Sequence, residues 1–110
     1  MNNREDKMTQ IPKKIKIAGH IFSVIYPFEF EPELNQCGKL CNTENKIFIA
    51  GSNEGKKYAQ SQVWAILIHE IIHQIGKISQ TTELWENEET VERIASAVLD
   101  ILISNEWLKV

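Results

Sequence analysis

Apolar and polar residues alternate in the first half of the chain, and this alternation predicts two β-hairpins. The first covers residues 15–26, where two β-branched and aromatic runs flank a turn at residues 18–20. The second joins residues 38–42 to Lys46–Ala50, in which isoleucines occupy every second position. The proline-containing residues 28–36 between the hairpins are predicted to be a loop. We therefore expect one small antiparallel sheet built from the two hairpins.

The second half of the chain is more continuously apolar and predicts two helices. Residues 56–75 contain no glycine or proline and carry apolar side chains on several faces, which is typical of a helix buried on most sides. Gly76 is a suitable residue to end this helix, and a polar stretch follows it at residues 79–87. A second helix is predicted over Glu88–Ser104, where apolar residues recur at spacings of three and four, with Asn87 as its N-cap. Two main helices packed on the sheet and on each other make an α+β fold.

Length and composition are those of one folded domain. The chain has 110 residues, of which 43% are hydrophobic and 25% charged, and a single domain is predicted over residues 11–110. Residues 1–10 carry no periodic pattern and are expected to be a disordered tail. The longest apolar run has six residues, far fewer than the roughly 20 of a membrane-spanning helix, so we expect no insertion into a membrane.

Charge and the polar N-terminal segment bear on partners and location. The net charge is -3, and because no basic cluster exists beyond Lys13, Lys14 and Lys16, nucleic acid is not an expected partner. The first 14 residues lack the apolar core of a secretory signal, which predicts a cytoplasmic protein. In that compartment Cys37 and Cys41, the two cysteines, are expected to be reduced thiols in or near the second hairpin.

One short motif indicates metal chemistry. His69 and His73 enclose the sequence His-Glu-Ile-Ile-His in the first predicted helix. Residues four apart on an α-helix differ by about 40° around the axis and about 6 Å along it, so both imidazoles can hold one metal ion. Glu70 lies at the rim of that face, where its carboxylate can take a proton from a metal-bound water, and these donors favour zinc. Shuffling this composition produces the motif about 0.006 times per chain, so chance is a poor explanation.

A catalytic zinc ion requires a third protein ligand, and the acidic start of the second helix is the better source of it. His20, the remaining histidine, lies in the first hairpin and is expected to be an ordinary polar turn residue. Glu88 continues the buried stripe of the second helix by one turn and is the first candidate. Glu92 is the second candidate and Glu89 the third. Glu92 could instead hydrogen-bond the far nitrogen of a ligating histidine.

With these motifs the sequence resembles the gluzincin class of zinc metallopeptidases, in which a helix bearing His-Glu-x-x-His is followed by a helix that donates a glutamate. More closely, it is similar to short phage- and prophage-encoded metallopeptidases that are distantly related to the ImmA/IrrE group. The resemblance covers most of the chain, from a Gly-Lys-Leu hairpin and KIFIA through AILIHEIIHQIG to NEETVERIASAVLDIL. It implies a minimal zincin-like fold and, for a phage-encoded chain, a location in the host cytoplasm.

Position by position, the resemblance implies that His69, His73 and Glu88 are zinc ligands and that Glu70 is the general base. In thermolysin-like enzymes an aspartate four residues after the ligand glutamate supports a ligand histidine, and Glu92 occupies that position here. The implied activity is hydrolysis of a peptide or protein substrate by a zinc-activated water.

We expect an extended peptide to pair with an edge strand near Lys46–Ala50, and Tyr58, His20 and Arg93 are the candidates for stabilising the oxyanion.

A non-catalytic zinc-stabilised interaction module, binding a host or phage regulator, would instead have its fourth coordination position closed by Glu89 or a cysteine. A helical scaffold without metal would keep its melting temperature when a chelator is added.

Overall fold

The computed structural model describes residues 7–110 and has the predicted α+β architecture. The main sheet contains β1 (Lys14–Ile17), β2 (His20–Phe28), β3 (Gly38–Cys41) and β4 (Lys46–Ala50). One turn of 3-10 helix, Pro32–Leu34, lies in the loop between β2 and β3. A ribbon of β5 (Ser52–Asn53) and β6 (Lys56–Lys57) leads to three helices, which are α1 (Gln60–Ile78), the short α2 (Thr82–Glu86) and α3 (Glu88–Ser104).

Both predicted hairpins are confirmed. β1 and β2 pair antiparallel through a two-residue turn at Ala18 and Gly19, whose φ angles are 50° and 86°. Positive φ at both residues gives a turn whose twist matches that of the flanking strands, which is why a glycine stands there. β3 and β4 also pair antiparallel, through four residue pairs.

The two hairpins join in parallel, which differs from the fully antiparallel sheet that the sequence predicts. The strand order is β1-β2-β4-β3, with β2 and β4 parallel, so the sheet is mixed and β4 lies inside it. This corrects the expectation that Lys46–Ala50 is an edge, because the edge beside β4 is β3. Burial explains the order: Ile47, Ile49 and Ala50 are buried in β4, whereas β3 contains no fully buried residue. The more apolar strand takes the central position.

α1 begins four residues later than the sequence predicts. Lys56 and Lys57 belong to the ribbon, and α1 starts at Gln60. The Ala59 backbone N–H donates a hydrogen bond of 2.7 Å to the Gln62 side chain, which satisfies one backbone donor of the first turn.

Gly76 does not end α1, which continues to Ile78. A side chain at Gly76 would place its Cβ 2.6 Å from Leu84 Cβ and 2.8 Å from the Trp85 backbone nitrogen. The glycine therefore permits the close approach of α2. That short helix lies within the stretch at residues 79–87, where the sequence pattern predicted only polar connection.

α3 has the predicted bounds and the predicted cap. The Asn87 side-chain oxygen accepts a hydrogen bond of 3.0 Å from the backbone N–H three residues later. Val91 and Ala95 are buried and pack against Ile68 and Ile72 of α1. This packing places the first turn of α3 against the face of α1 that carries the histidine motif.

The hydrophobic core has two parts, and both involve α1. One part joins the inner face of the sheet to α1, and its most buried members are Phe22, Ile47, Ile49, Val63 and Leu67. The other part is the contact between α1 and α3. α1 is therefore buried on two sides, as expected for a helix with apolar residues on several faces.

Thr9, near the start of the described residues, is held against α1 and the segment that follows α3. The Thr9 backbone N–H donates to the Lys109 carbonyl at 2.7 Å, and Trp64 Nε1 donates to the Thr9 carbonyl at 3.2 Å. The disordered tail predicted over residues 1–10 therefore does not extend to Thr9, while residues 1–6 lie outside the described part of the chain. Among residues 7–110, no helix has the length and apolar character needed to cross a membrane.

Candidate metal centre

The two histidines of the motif lie on the face of α1 that α3 approaches. Their ring centroids are 4.7 Å apart and their Nε2 atoms 3.1 Å apart, as expected for residues four apart on one helix face. Both side chains are shielded, with 15% of His69 and 12% of His73 exposed. Together they present two nitrogen donors to one point.

Glu88, the first residue of α3, brings an oxygen to the same point. Its Oε1 lies 2.8 Å from His69 Nε2 and 3.2 Å from His73 Nε2. The Asn87 cap fixes the residue at which α3 begins and so sets the position of Glu88. Desolvation raises the pKa of Glu88, but the hydrogen bonds with the two histidines and their charges act in the opposite direction and lower that pKa, which favours the carboxylate form.

We name His69, His73 and Glu88 the ligand triad, since their donor atoms fit a zinc ion. Imidazole nitrogens and carboxylate oxygens bind zinc at about 2.0–2.2 Å, and in a tetrahedral site such donors lie about 3.4 Å apart. The observed separations are 2.8, 3.1 and 3.2 Å, so side-chain movements of less than about 1 Å would reach tetrahedral spacing. If these three side chains held a zinc ion, a fourth position would be open, as in catalytic zinc sites.

The second turn of α3 contacts the outer side of the triad. Glu92 Oε2 lies 2.9 Å from His69 Nδ1, the nitrogen that faces away from Glu88. With Nδ1 protonated and donating to Glu92, the Nε2 atom keeps its lone pair for a metal ion. Glu89 instead pairs with Arg93 at 2.7 Å, and both of these side chains are exposed. The structure thus places Glu88 beside both histidines, Glu92 beside one and Glu89 beside neither.

The other residues considered as ligands do not belong to the triad. His20 is the first residue of β2 and is exposed to solvent. In the sheet, β4 separates β2 from β3. Cys37 directly precedes β3 and Cys41 is its last residue. Both are free thiols, as the sequence predicts. Among residues 7–110, neither cysteine joins the triad in a group that could hold a metal ion.

Glu70 lies beside the triad and against the edge strand. The residue is 8% exposed, and desolvation raises the pKa of its carboxyl group, an effect that the nearby His69 and His73 partly oppose. A Cβ added at Gly38 would lie 2.9 Å from Glu70 Oε2 and 2.6 Å from Ile66 Cγ2. The missing side chain at Gly38 therefore makes room for the Glu70 carboxylate between α1 and β3.

A groove of about 640 Å³ contains the triad. β3 forms one wall, α1 the floor, and α2 with α3 the opposite wall, and the lining includes Gly38, Leu40, Asn42, Ile66, Glu70, Lys77 and Trp85. One edge of β3 is unpaired in the sheet, because β4 is its single neighbour there. The groove thus combines a group of side chains that could hold a metal ion, a buried carboxylate and an open strand edge.

The polar lining of the groove differs from what the sequence suggested. Tyr58, His20 and Arg93, the three candidates for stabilising an oxyanion, do not line it. Asn42 and Lys77 do, and the sequence pattern did not single them out. Lys77 lies four residues after the second motif histidine, so helical spacing could have indicated it. Asn42 lies in the β3–β4 turn, and only the folded structure brings it to α1.

Within residues 7–110, the ligand triad is the one group of histidine, cysteine or acidic side chains with donor atoms close enough to hold a metal ion. No protein-family model, curated protein or solved structure matches this chain.

Proposed function

We propose that this protein is a zinc-dependent metallopeptidase that hydrolyses peptide bonds. The observation that carries the proposal is the convergence of His69 Nε2, His73 Nε2 and Glu88 Oε1 at mutual distances of 2.8 to 3.2 Å. Glu70 lies beside these atoms, buried at the wall of an open groove. Three ligands with a neighbouring base are what zinc-assisted hydrolysis requires, whereas a structural zinc site has four protein ligands.

Glu70 performs the proton transfers in this proposal. A zinc ion at the triad would supply Lewis acidity and lower the pKa of a water molecule. The Glu70 carboxylate takes a proton from the attacking water, whose oxygen forms a bond to the carbonyl carbon. The resulting carboxylic acid returns the proton to the amide nitrogen as the C–N bond breaks. Burial of Glu70 against Gly38 separates this transfer from bulk solvent.

The strand topology changes where the peptide is expected to bind. β4 is an inner strand, so the peptide cannot pair with Lys46–Ala50 as the sequence suggested. β3 borders the groove and has an unpaired edge. Backbone hydrogen bonds to Gly38–Cys41 would hold an extended peptide alongside α1 and bring one of its carbonyl groups near the triad.

Replacement of Glu70 by glutamine tests the proposed role of this carboxylate. Glutamine keeps the size of the side chain but cannot accept the proton, so Glu70→Gln should retain zinc and lose at least about 100-fold in peptide hydrolysis. Zinc content and cleavage of an unfolded protein such as reduced casein are the two measurements. Glu89→Gln, which changes an exposed glutamate paired with Arg93, is the matched control. A Glu70→Gln protein with bound zinc and full activity would refute the mechanism.

The alternative of a non-catalytic zinc module requires a fourth protein ligand. Among residues 7–110, no further histidine, cysteine or acidic side chain has a donor atom close enough to all three triad atoms to form one metal-binding group with them. Glu89, the residue expected to close the site in that case, pairs with Arg93. The geometry therefore favours an open fourth position.

The biological setting proposed here follows from the sequence. We predict a peptide or protein substrate and no nucleic-acid partner. We also predict a cytoplasmic location, which is the host cytoplasm for a phage-encoded chain. Digestion of a mixture of unfolded proteins by the zinc-loaded protein is the direct measurement of the substrate class.

A further inference from the structure

Lys77 gives the groove a fixed positive charge close to the triad. It lies on α1 four residues after His73, and its Nζ donates a hydrogen bond of 3.1 Å to Asn42 Oδ1 in the β3–β4 turn. Within residues 7–110, no carboxylate oxygen lies within the 4.0 Å of an ion pair with Lys77 Nζ. A neutral amide therefore holds the ammonium group and leaves its charge and further N–H donors unused.

A buried residue orients the amide that holds Lys77. Gln74 is 5% exposed, and its Oε1 accepts a hydrogen bond from Asn42 Nδ2. This contact determines which end of the Asn42 amide faces Lys77, because the oxygen is the end that remains for the ammonium group. Since a buried amide is unfavourable unless it is hydrogen-bonded, Gln74 and Asn42 stabilise each other in this arrangement. The exposed Lys77 side chain, which starts from α1, is thus in contact with the hairpin turn.

Lys77 is distinguished from the other lysine at the groove, Lys39. Gly38 and Leu40 face α1, so the Lys39 side chain leaves β3 on the opposite face. The other charged groups at the groove are the carboxylates Glu70, Glu88 and Glu92, and the last two contact the motif histidines. A zinc ion at the triad would offset the charge of these carboxylates, whereas Lys77 would attract a substrate carboxylate at its own end of the groove.

We propose that Lys77 is a subsite for a carboxylate of the peptide substrate, and this inference rests on the proposed peptidase function. One helical turn separates Lys77 from His73, which is about 6 Å along the axis. An extended peptide advances about 3.3 Å per residue, so the carboxylate belongs one or two residues from the scissile bond. It comes from an aspartate or glutamate side chain or from a free C-terminus, which present the same chemistry to an ammonium group.

Peptide binding to a full-length, zinc-loaded Glu70→Gln protein tests the subsite without turnover. The probes are fluorescein-labelled decapeptides of alanine and glycine with an amidated C-terminus, in which one Glu, Gln or Lys occupies each position in turn. A Gln peptide with a free C-terminal carboxylate separates the two sources of the charge. Dissociation constants from fluorescence anisotropy are compared for Lys77→Met, Lys77→Glu and the control Lys39→Met, together with their melting temperatures.

We expect the best Glu peptide to bind roughly tenfold more tightly than its Gln counterpart. Lys77→Met should abolish this difference, Lys77→Glu should transfer the preference to Lys peptides, and Lys39→Met should leave it unchanged. An equal gain for the free C-terminus would identify chain ends as the source, whereas a gain for Glu alone would identify side chains.

Three results would overturn the subsite. These are equal binding of Glu and Gln peptides, a preference that survives in Lys77→Met, or no binding of any probe. A lowered melting temperature in Lys77→Met without a change in preference would assign the Gln74–Asn42–Lys77 contacts a purely structural role. Failure of the peptidase proposal is distinguished by separate measurements on the protein with Glu70 unchanged. In that case this protein would lack zinc or would not cleave peptides, while the charge preference in binding would persist.

Discussion

His69 is the residue at which the contacts of the site meet. Its Nε2 faces Glu88 and His73, and its Nδ1 faces Glu92, so both ring nitrogens are engaged. A carboxylate at Nδ1 favours the tautomer in which Nε2 keeps its lone pair for a metal ion, and it increases the basicity of the ring. The metal affinity of the site should therefore depend on Glu92, although Glu92 does not belong to the triad.

Replacement of Glu92 by alanine measures this dependence. Loss of the carboxylate partner of a ligating histidine weakens zinc binding by roughly 10–100-fold, and we expect Glu92→Ala to fall in that range. Competition with a chromophoric chelator gives the dissociation constants. Glu89→Ala is the matched control on the neighbouring surface and should bind zinc like the unchanged protein. Equal zinc affinity in Glu92→Ala and the control would contradict the role of Glu92.

Residues close in sequence could be predicted as a group, while residues joined only by the fold could not. His69, Glu70 and His73 follow from helical spacing alone. To predict that Glu88 approaches the histidines, one must also know which face of the second helix is buried. The apolar stripe of that helix reaches Glu88 only when it is extended by one further turn. The contact between Asn42 and Gln74 spans 32 positions, and no local pattern relates a turn residue to a buried helix residue.

The predicted secondary-structure elements differ from the observed ones in strand order and in where the helices end. Local alternation located β3 and β4, but it does not determine which strand of a hairpin joins its neighbour. That choice depends on how much of each strand is buried, and β4 contains the buried residues. Similarly, Gly76 is a residue type that often ends a helix, but here its lack of a side chain allows α2 to pack closely against α1. Both differences arise from tertiary contacts.

The sign of a stability change at Gly76 distinguishes these two roles. In an isolated helix, alanine in place of glycine is stabilising by about 1 kcal/mol. Here the new Cβ would lie 2.6 Å from Leu84 Cβ and 2.8 Å from the Trp85 nitrogen, so α2 must shift. We expect Gly76→Ala to lower the free energy of unfolding by about 1–3 kcal/mol, measured by chemical denaturation. Exposed Ser96→Ala is the control, and stabilisation by Gly76→Ala would contradict the close approach of α2.

At the scale of the whole molecule, the triad connects two helices that otherwise meet through a small apolar cluster. His69 and His73 belong to α1 and Glu88 to α3, while Val91 and Ala95 are the fully buried residues of α3. A metal ion at the triad would add a bond between the helices that is absent from the unfolded chain. Binding to the folded state alone raises stability in proportion to the logarithm of ligand concentration over the dissociation constant.

Removal of the metal should therefore lower the melting temperature. Zinc at about 100 times its dissociation constant adds about 2.7 kcal/mol, which corresponds to roughly 10 °C for a domain of this size. Differential scanning calorimetry of the zinc-loaded protein, with and without a chelator, measures the change. His73→Ala should melt at one temperature in both conditions. If the chelator left the unchanged protein unaffected as well, the metal-free scaffold would be the better description.

Zinc content of the purified protein tests the proposed metal centre directly, because every proposed function of the triad begins with a bound ion. Inductively coupled plasma mass spectrometry is applied to the unchanged protein, to His73→Ala and Glu88→Ala, and to Glu89→Ala as the control. We expect one zinc per chain in the unchanged protein and the control, and less than about a tenth of that in the two triad variants. Absence of zinc from the unchanged protein, or full zinc in either triad variant, would contradict the proposed metal centre.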